Sequence, residues 1–234
     1  SFWDAGTILA NLLAAAHACM LPTHLTLGFA DATVNALLDV DPDREVALFL
    51  LGLGAGAALP APAPPVDPLH LVVAPLSSEE HDYPAIRIMH AASSLESPDD
   101  AAEWRGAAPE ASLPLATGAM YPLCPDTAAS QPSVALEDVI RRRGSARQLS
   151  HQPLSLSQLS NVLVQATQPV PADCLAIAGR RLNDLYLIVN AVDGLPSGAY
   201  VFHPPLQALA LLRAGDLRQQ AGELALGQEL AAEA

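Results

Sequence analysis

Four arginines of this chain lie within one seven-residue segment. They are Arg141, Arg142, Arg143 and Arg147. The planar guanidinium group donates paired hydrogen bonds to phosphate oxygens, which makes arginine the preferred residue for gripping phosphate. Ser145 adds a hydroxyl donor, and Gly144 allows backbone N–H groups to approach an anion. The segment therefore predicts a binding site for a small anion.

The composition makes this segment stand out. The chain has 234 residues, with 25 acidic and 11 basic side chains and a net charge of −14. It has no lysine, so every basic residue is an arginine. A surface of this sign repels phosphate backbones, and we expect no nucleic-acid binding. A second interpretation of the cluster stays open, because cations at the end of a helix also stabilise the helix dipole.

The elements around the cluster can be predicted from local patterns. Apolar residues at 136, 139 and 140 indicate a helix that ends at the arginines, with Gly144 as its stop. Ser155 with Gln158 is a capping box that opens a helix to about residue 166. Residues 185–203 are typical of a β-hairpin with a turn at 193–198. A strand at 206–213 and a helix from about 217 follow.

The first half of the chain predicts further short elements. We expect a helix over 3–20, a strand over 25–29, a helix over 31–38 and a strand over 45–53. Residues 54–68, which are almost entirely Gly, Ala and Pro, indicate a semi-rigid linker. Residues 69–130 are expected to be mostly irregular, with a helical patch over 83–95 and a turn at 101–104. The fold class is α+β.

Membrane insertion and secretion are not expected. The chain opens without a signal peptide, and its longest apolar stretch, residues 46–59, is shorter than the roughly 20 residues of a membrane span. Three cysteines at positions 19, 124 and 174 predict neither a disulfide framework nor a zinc site. We expect buried thiols in a cytoplasmic protein.

Other reactive side chains support weaker hypotheses. His17 with His24, and His81 and Asp82 with His90, have the residue types of metal ligands, but packing or surface placement explains them better, and no metal is expected. Cys174 has the chemistry of a redox thiol. Ser145 has no G-x-S-x-G context, which argues against a hydrolytic nucleophile.

An ordered set of motifs resembles the nitroreductase superfamily. Arg143-x-Ser145-x-Arg147, followed by Leu149, is similar to the motif with which these flavoproteins hold the phosphate and ribityl chain of FMN. Four later motifs resemble the SagB-type branch, which contains the azoline dehydrogenases of thiazole/oxazole-modified peptide biosynthesis. They lie at residues 183–190, 192–200, 212–216 and 226–228.

The first segment resembles the other half of such a domain. Its motifs include Trp3-Asp4-Ala-Gly6, Leu27-Gly28-Phe29 and Val34-Asn35. The chain also starts without methionine and stops inside a helical pattern, so we expect a window of a longer protein with partial tandem halves. Residues 1–53 would be the C-terminal part of a first domain, 54–130 a linker and connector, and 131–234 the N-terminal part of a second domain.

The resemblance implies an FMN-dependent oxidoreductase that acts on a small-molecule or peptide substrate. It assigns FMN binding to Arg143, Gly144, Ser145 and Arg147, and it implies a homodimer or an intramolecular pseudo-dimer. Azoline dehydrogenases use a Lys–Tyr pair, and the absence of lysine leaves the catalytic residues unassigned. Residues 171–174 replace the usual loop at the flavin ring, which supports an alternative: a flavin-less structural or peptide-binding partner in a biosynthetic complex.

Overall fold

The computed structural model describes residues 2–54, 67–72, 74, 77–107, 118–126, 134–175 and 183–233. The chain forms two compact units. Unit 1 consists of Ser1–Pro109 and Val170–Ala178, and unit 2 of Glu110–Pro169 and Gly179–Ala234. Most of the stretch predicted as a Gly/Ala/Pro linker lies outside the described residues. The division into domain halves at residues 53 and 130 stays a prediction.

Unit 1 contains four helices and two paired strands among its described residues. They are α1 (Phe2–Ala18), β1 (Thr23–Thr26), α2 (Asp31–Leu38), β2 (Leu50–Leu53), α3 (Pro84–Ser93) and α4 (Pro98–Ala107). The predicted helices at 3–20 and 31–38 and the helical patch at 83–95 are confirmed. A short 3-10 helix, Asp173–Leu175, also belongs to this unit.

The strand predicted over 45–53 is shorter in the structure. β1 has four residues, and all four pair antiparallel with β2, from Thr23↔Leu53 to Thr26↔Leu50. Upstream of β2, the backbone N–H of Ala47 instead donates to the side-chain oxygen of the buried Asn35, at 2.9 Å. The apolar stretch that begins at residue 45 is longer than β1, so only its last four residues pair as a strand.

Helix α4 replaces the turn expected at 101–104. The Ser97 hydroxyl accepts a hydrogen bond from the backbone of Asp100 at 3.1 Å, and the Asp100 carboxylate accepts from the backbone of Ser97 at 3.0 Å. This reciprocal pair satisfies N–H groups at the start of the helix, and Pro98 suits the first helical position. The sequence Ser97-Pro98-Asp-Asp100 therefore begins a helix, and the prediction of a turn at 101–104 is wrong.

The small core of unit 1 draws on residues far apart in the chain. Leu25, Ala172 and Cys174 form its buried centre. Leu25 makes a parallel bridge with Ala172, and its N–H donates to the carbonyl of Pro171 at 3.4 Å. The segment beginning at residue 170 thus lies beside β1, although more than 140 residues separate the two in sequence.

Unit 2 is built on an antiparallel sheet of four strands. In spatial order these are β3 (Met120–Pro122), β8 (Ala208–Ala214), β7 (Gly198–His203) and β5 (Tyr186–Val189). The remaining elements are α5 (Leu136–Arg142), β4 (Leu154–Ser155), α6 (Leu156–Ala166), β6 (Val192–Asp193), α7 (Arg218–Leu224) and α8 (Glu229–Glu233). β4 and β6 form a separate parallel pair.

The predicted hairpin over 185–203 is confirmed by the pairing of β5 with β7, and the strand at 206–213 by β8. Tyr200 is fully buried at its centre, and its hydroxyl donates to the carbonyl of Pro196 at 2.6 Å. Burial raises the pKa of this hydroxyl above its ordinary value. β3, from a stretch expected to be irregular, adds an edge strand through Tyr121↔Leu209.

Two helices of unit 2 differ in how they begin and end. The capping box of α6 is confirmed, because the Ser155 hydroxyl accepts from Gln158 N and the Gln158 side chain accepts from Ser155 N. The helix predicted from about 217 to the end is interrupted between α7 and α8. Leu226, with a φ of 60°, has the left-handed conformation that ends α7, and Gly227 donates its N–H to the carbonyl of Gly222 at 2.8 Å, which completes a Schellman motif.

Candidate functional site

The arginine segment begins where α5 ends. Arg143 is the C-terminal cap of this helix, and its backbone N–H donates to the carbonyl of Val139 at 2.9 Å. Residues 143–150 then continue without helix or strand, and all positions from 141 to 148 are exposed. The seven-residue helix therefore places Arg143, Gly144, Ser145 and Arg147 together in one solvent-accessible segment of unit 2.

None of the four clustered arginines has an ion pair or side-chain hydrogen bond with any residue the structure describes. Three arginines elsewhere form ion pairs: Arg44 with Glu80, Arg87 with Asp82, and Arg218 with Asp216. Ser145 likewise makes no hydrogen bond to a described residue. The cluster therefore keeps its donors available for a ligand.

Gly144 lies in open space. A Cβ added there would meet no atom within 4 Å, so packing alone gives no reason for a glycine at this position. A backbone without a side chain allows an anion to approach its N–H groups closely. Two guanidinium groups, a hydroxyl and this uncovered backbone lie within residues 143–147, and each is a donor type that binds phosphate.

Asp173, which stands where the resemblance places the flavin-ring loop, has a different environment. Its side chain is only 7% exposed. One carboxylate oxygen accepts from the backbone N–H of Leu27 at 2.8 Å, and the other accepts from Gly28 at 3.2 Å. Arg105 lies beside it, with Nη1 3.9 Å from Oδ2. This carboxylate therefore holds the 170–175 segment against β1 within unit 1.

Gly28 allows α4 to approach this carboxylate site. A Cβ at Gly28 would lie 2.9 Å from Cγ of Arg105 and 3.0 Å from the ring of Trp104. We name the arrangement of Asp173, Arg105, Leu27 and Gly28 the aspartate clasp. In the sequence, Leu27-Gly28 is part of a motif that resembles the family, and nothing local indicates that its backbone binds a carboxylate so distant in sequence.

The other reactive residues are dispersed. Cys174 is 1% exposed and packs in the core of unit 1, which keeps its thiol from solvent. Cys19 and Cys124 are exposed, so the prediction of buried thiols is wrong for these two. Asp82 is paired with Arg87, and the ring of His90 lies 3.3 Å from the hydroxyl of Ser94. Within the described stretches, no three His, Cys, Asp or Glu side chains are grouped as metal ligands.

A cleft of about 900 Å³ in unit 1 was also not foreseen. Its lining is rich in acidic side chains, among them Asp39, Asp41, Asp43, Glu45, Glu80 and Asp82. Arg87 donates to Asp82 at 2.8–2.9 Å and to Asp43 at 3.4 Å, and these contacts raise the pKa of its guanidinium. Internal ion pairs therefore offset part of the negative charge of this cleft.

No helix in the described part of the chain combines the length and apolar character needed to cross a membrane. No known family model and no curated protein matches the chain. Its structure is similar to that of a candidate nitroreductase from Anabaena variabilis, with a TM-score of 0.58 and 20% sequence identity. The similarity covers 92% of this chain and 44% of that one, so the chain spans less than half the length of its structural neighbour.

This similarity assigns the fold. The chain has an α+β, nitroreductase-like fold, as the motifs predicted. The identity is too low to carry an activity across. The SagB-type branch, the tandem halves, the dimer and the cytoplasmic location stay predictions.

Proposed function

We propose that this chain is part of an FMN-dependent oxidoreductase of the SagB type, with azoline oxidation in modified-peptide biosynthesis as its activity. The observation that carries the proposal is the exposed arginine cluster, whose donors have no partner among the described residues. The nitroreductase-like fold supports the proposal, because the motif at Arg143–Arg147 resembles the FMN-binding motif of proteins with this fold.

In this proposal Arg143 and Arg147 neutralise the phosphate dianion of FMN through charge-assisted hydrogen bonds. Ser145 donates its hydroxyl to a phosphate oxygen, and Gly144 leaves the backbone N–H groups open to the same ligand. Arg141 and Arg142 are flanking charges on the last turn of α5. FMN would supply the hydride transfer, and the chain's residues would bind and orient it.

FMN and riboflavin differ only in the phosphate, which makes them matched probes. We expect FMN to bind, measured by quenching of flavin fluorescence, and Arg143→Ala/Arg147→Ala to weaken that binding about 100-fold, since each lost charged contact costs roughly 1.5 kcal/mol or more. Riboflavin affinity should change little. Arg141→Ala/Arg142→Ala removes the same net charge and is the control.

Two results would contradict the phosphate site. One is equal loss of FMN affinity in both double variants, because a general charge effect then explains the cluster. The other is a protein that is colourless when purified and takes up no added FMN.

The alternative function is a flavin-less structural or peptide-binding partner. The aspartate clasp favours it, because Asp173 is engaged with the backbone of unit 1 at the place where the family has its flavin-ring loop. Binding of a Cys/Ser-rich peptide, followed by fluorescence anisotropy, distinguishes the two functions. If Arg143→Ala/Arg147→Ala lowers peptide binding and leaves flavin content unchanged, the partner function is correct.

The proposed assembly is a homodimer or an intramolecular pseudo-dimer. Light scattering coupled to size-exclusion chromatography measures the molar mass directly. A mass of twice the chain supports the homodimer, and a monomer with bound FMN supports the pseudo-dimer.

A further inference from the structure

A second cleft, of about 360 Å³, lies on one face of the unit 2 sheet beside α7. Residues on β5, β7, β8 and α7 line it. They include Tyr186, Ile188, Ala199, Arg213, Leu217 and Leu224. Leu224 is 78% exposed, so an apolar side chain of α7 is held in solvent at the edge of the cleft. We call this site the sheet cleft.

The polar groups of the sheet cleft are available. Tyr186, Arg213 and Gln220 line it, and none of these side chains has a hydrogen bond or ion pair with a described residue. Arg218, five residues beyond Arg213, is by contrast paired with Asp216 at 3.3 Å. The sheet cleft therefore combines apolar walls with one unpaired cation and two further hydrogen-bonding groups.

A β-bulge places Arg213 on this face. Tyr200 pairs with Leu211, yet Ala199 pairs with Arg213, so β8 has one extra residue at this point. Residues directly opposite in an antiparallel pair share a face, and Arg213 therefore lies on the face of Ala199. Without the extra residue, Leu212 would occupy that position. Bulges commonly redirect a side chain in this way.

Gly198, next to the bulge, allows β7 and β8 to approach each other closely. A Cβ on Gly198 would lie 2.3 Å from the carbonyl oxygen of Arg213. A larger residue would push β8 away and move the guanidinium with it. The position of Arg213 thus depends on the backbone of two strands as well as on its own rotamer.

From this geometry we infer that the sheet cleft binds a small molecule with one negatively charged group on an apolar body. The volume falls within the roughly 300–1,000 Å³ of small-molecule pockets. The apolar walls contact the apolar body of the ligand, and Arg213 pairs with its anionic group. Tyr186 also lines the cleft. The cleft shares no lining residue with Arg143–Arg147, and the inference does not rest on the proposed flavin binding.

Two fluorescent probes test the inference on the purified protein. 8-Anilinonaphthalene-1-sulfonate carries the anion, and N-phenyl-1-naphthylamine has a closely related aromatic body without charge. We expect saturable binding of the sulfonate at one site. Arg213→Gln should weaken it about tenfold, as expected for loss of a charged contact, and leave the neutral probe within twofold.

Matched variants control for general effects. Arg218→Gln removes the same charge outside the cleft and should change neither probe. Leu224→Glu places a negative charge at the cleft and should weaken the sulfonate, whereas Leu206→Glu, at another exposed leucine of unit 2, should not. Circular dichroism of each variant verifies that it is folded. If Arg213→Gln does not fold, the sulfonate affinity of Leu224→Glu tests the inference in its place.

Three results would overturn the inference. The first is sulfonate binding by Arg213→Gln as tight as by the unaltered protein. The second is an equal loss in Arg218→Gln. The third is displacement of the sulfonate by saturating FMN, because the cleft would then belong to a flavin site. Failure of FMN to bind anywhere contradicts the proposed function alone and leaves the sheet cleft intact.

Discussion

The aspartate clasp and the arginine cluster both contain arginine, but the side chain lies beside a carboxylate in the clasp and has no described partner in the cluster. In the clasp, Arg105 lies beside a buried carboxylate that also accepts hydrogen bonds from Leu27 and Gly28. In the cluster, exposed arginines have no partner in the described part of the chain. Arginine side chains alone therefore do not indicate a ligand site, and the state of their donors separates structural from available ones.

The two glycines repeat this contrast. Gly28 lies under Trp104 and Arg105, where a Cβ would collide, whereas Gly144 faces open space. A glycine required by packing and a glycine that leaves room for a ligand have the same letter in the sequence. Substitution separates them, because the first affects folding and the second affects binding.

The largest effect is expected from Asp173→Ala. The substitution leaves the backbone N–H groups of Leu27 and Gly28 without their acceptor and removes the carboxylate beside Arg105. We expect the free energy of unfolding to fall by about 3 kcal/mol, measured by urea denaturation. Asp67→Ala, at an exposed position of unit 1, should change it little. Equal values for the two variants would show that the clasp does not stabilise the fold.

Gly28→Ala should have a smaller effect, about 1–2 kcal/mol, since Arg105 and Trp104 must shift to admit the methyl group. Gly144→Ala should lower stability by less than about 0.5 kcal/mol, as is usual for surface substitutions, and should weaken FMN binding. Thermal melts and flavin titrations measure both properties. A Gly144→Ala protein that is as destabilised as Gly28→Ala would remove the distinction between these glycines.

Arg105→Gln is expected to cost less than about 1 kcal/mol. Its side chain is 39% exposed and its closest approach to Asp173 is 3.9 Å, so solvent screens the pair, while the backbone hydrogen bonds to Asp173 remain. Arg141→Gln, with no partner among the described residues, should leave the urea midpoint unchanged. An Arg141→Gln midpoint below that of Arg105→Gln would reverse the proposed difference between engaged and available arginines.

The smallest effect is expected from salt. Because the cluster is exposed, FMN affinity should fall a few-fold between 50 and 500 mM sodium chloride as charges are screened. The stability contributed by the clasp should change less, since its carboxylate is buried. Flavin titrations at two salt concentrations test this, with riboflavin as the uncharged reference. Salt-independent FMN binding would argue against a phosphate contact at Arg143 and Arg147.

Local signals predicted much of this fold. Ser155 and Gln158 are three residues apart, and the hairpin at 185–203 has its turn residues between its strands, so residues close in sequence determine both elements. Helix α2 was likewise predicted from a short stretch of sequence. The start of α4 was missed although Ser97 and Asp100 are equally local, because an aspartate replaced the usual Glu or Gln of a capping box.

Contacts between distant residues could not be predicted. Leu27 and Asp173 are 146 positions apart, and neither carries a pattern that specifies the other. The same limit applies to the candidate site. The sequence indicated Arg143, Gly144, Ser145 and Arg147, but only the structure shows that Arg44 and Arg87 are already paired with carboxylates.

The position of the 170–175 segment also affects the order in which the chain can fold. Leu27 leaves the ribosome well before its partner, because the carboxylate of Asp173 that accepts from it is synthesised 146 residues later. At translation rates of roughly 5–20 residues per second, that interval is about 7–30 s. During this time the start of the chain has an incomplete core, with Leu25 uncovered by Ala172 and Cys174. Nascent unit 1 therefore keeps this apolar surface uncovered until residues 172–174 have been made.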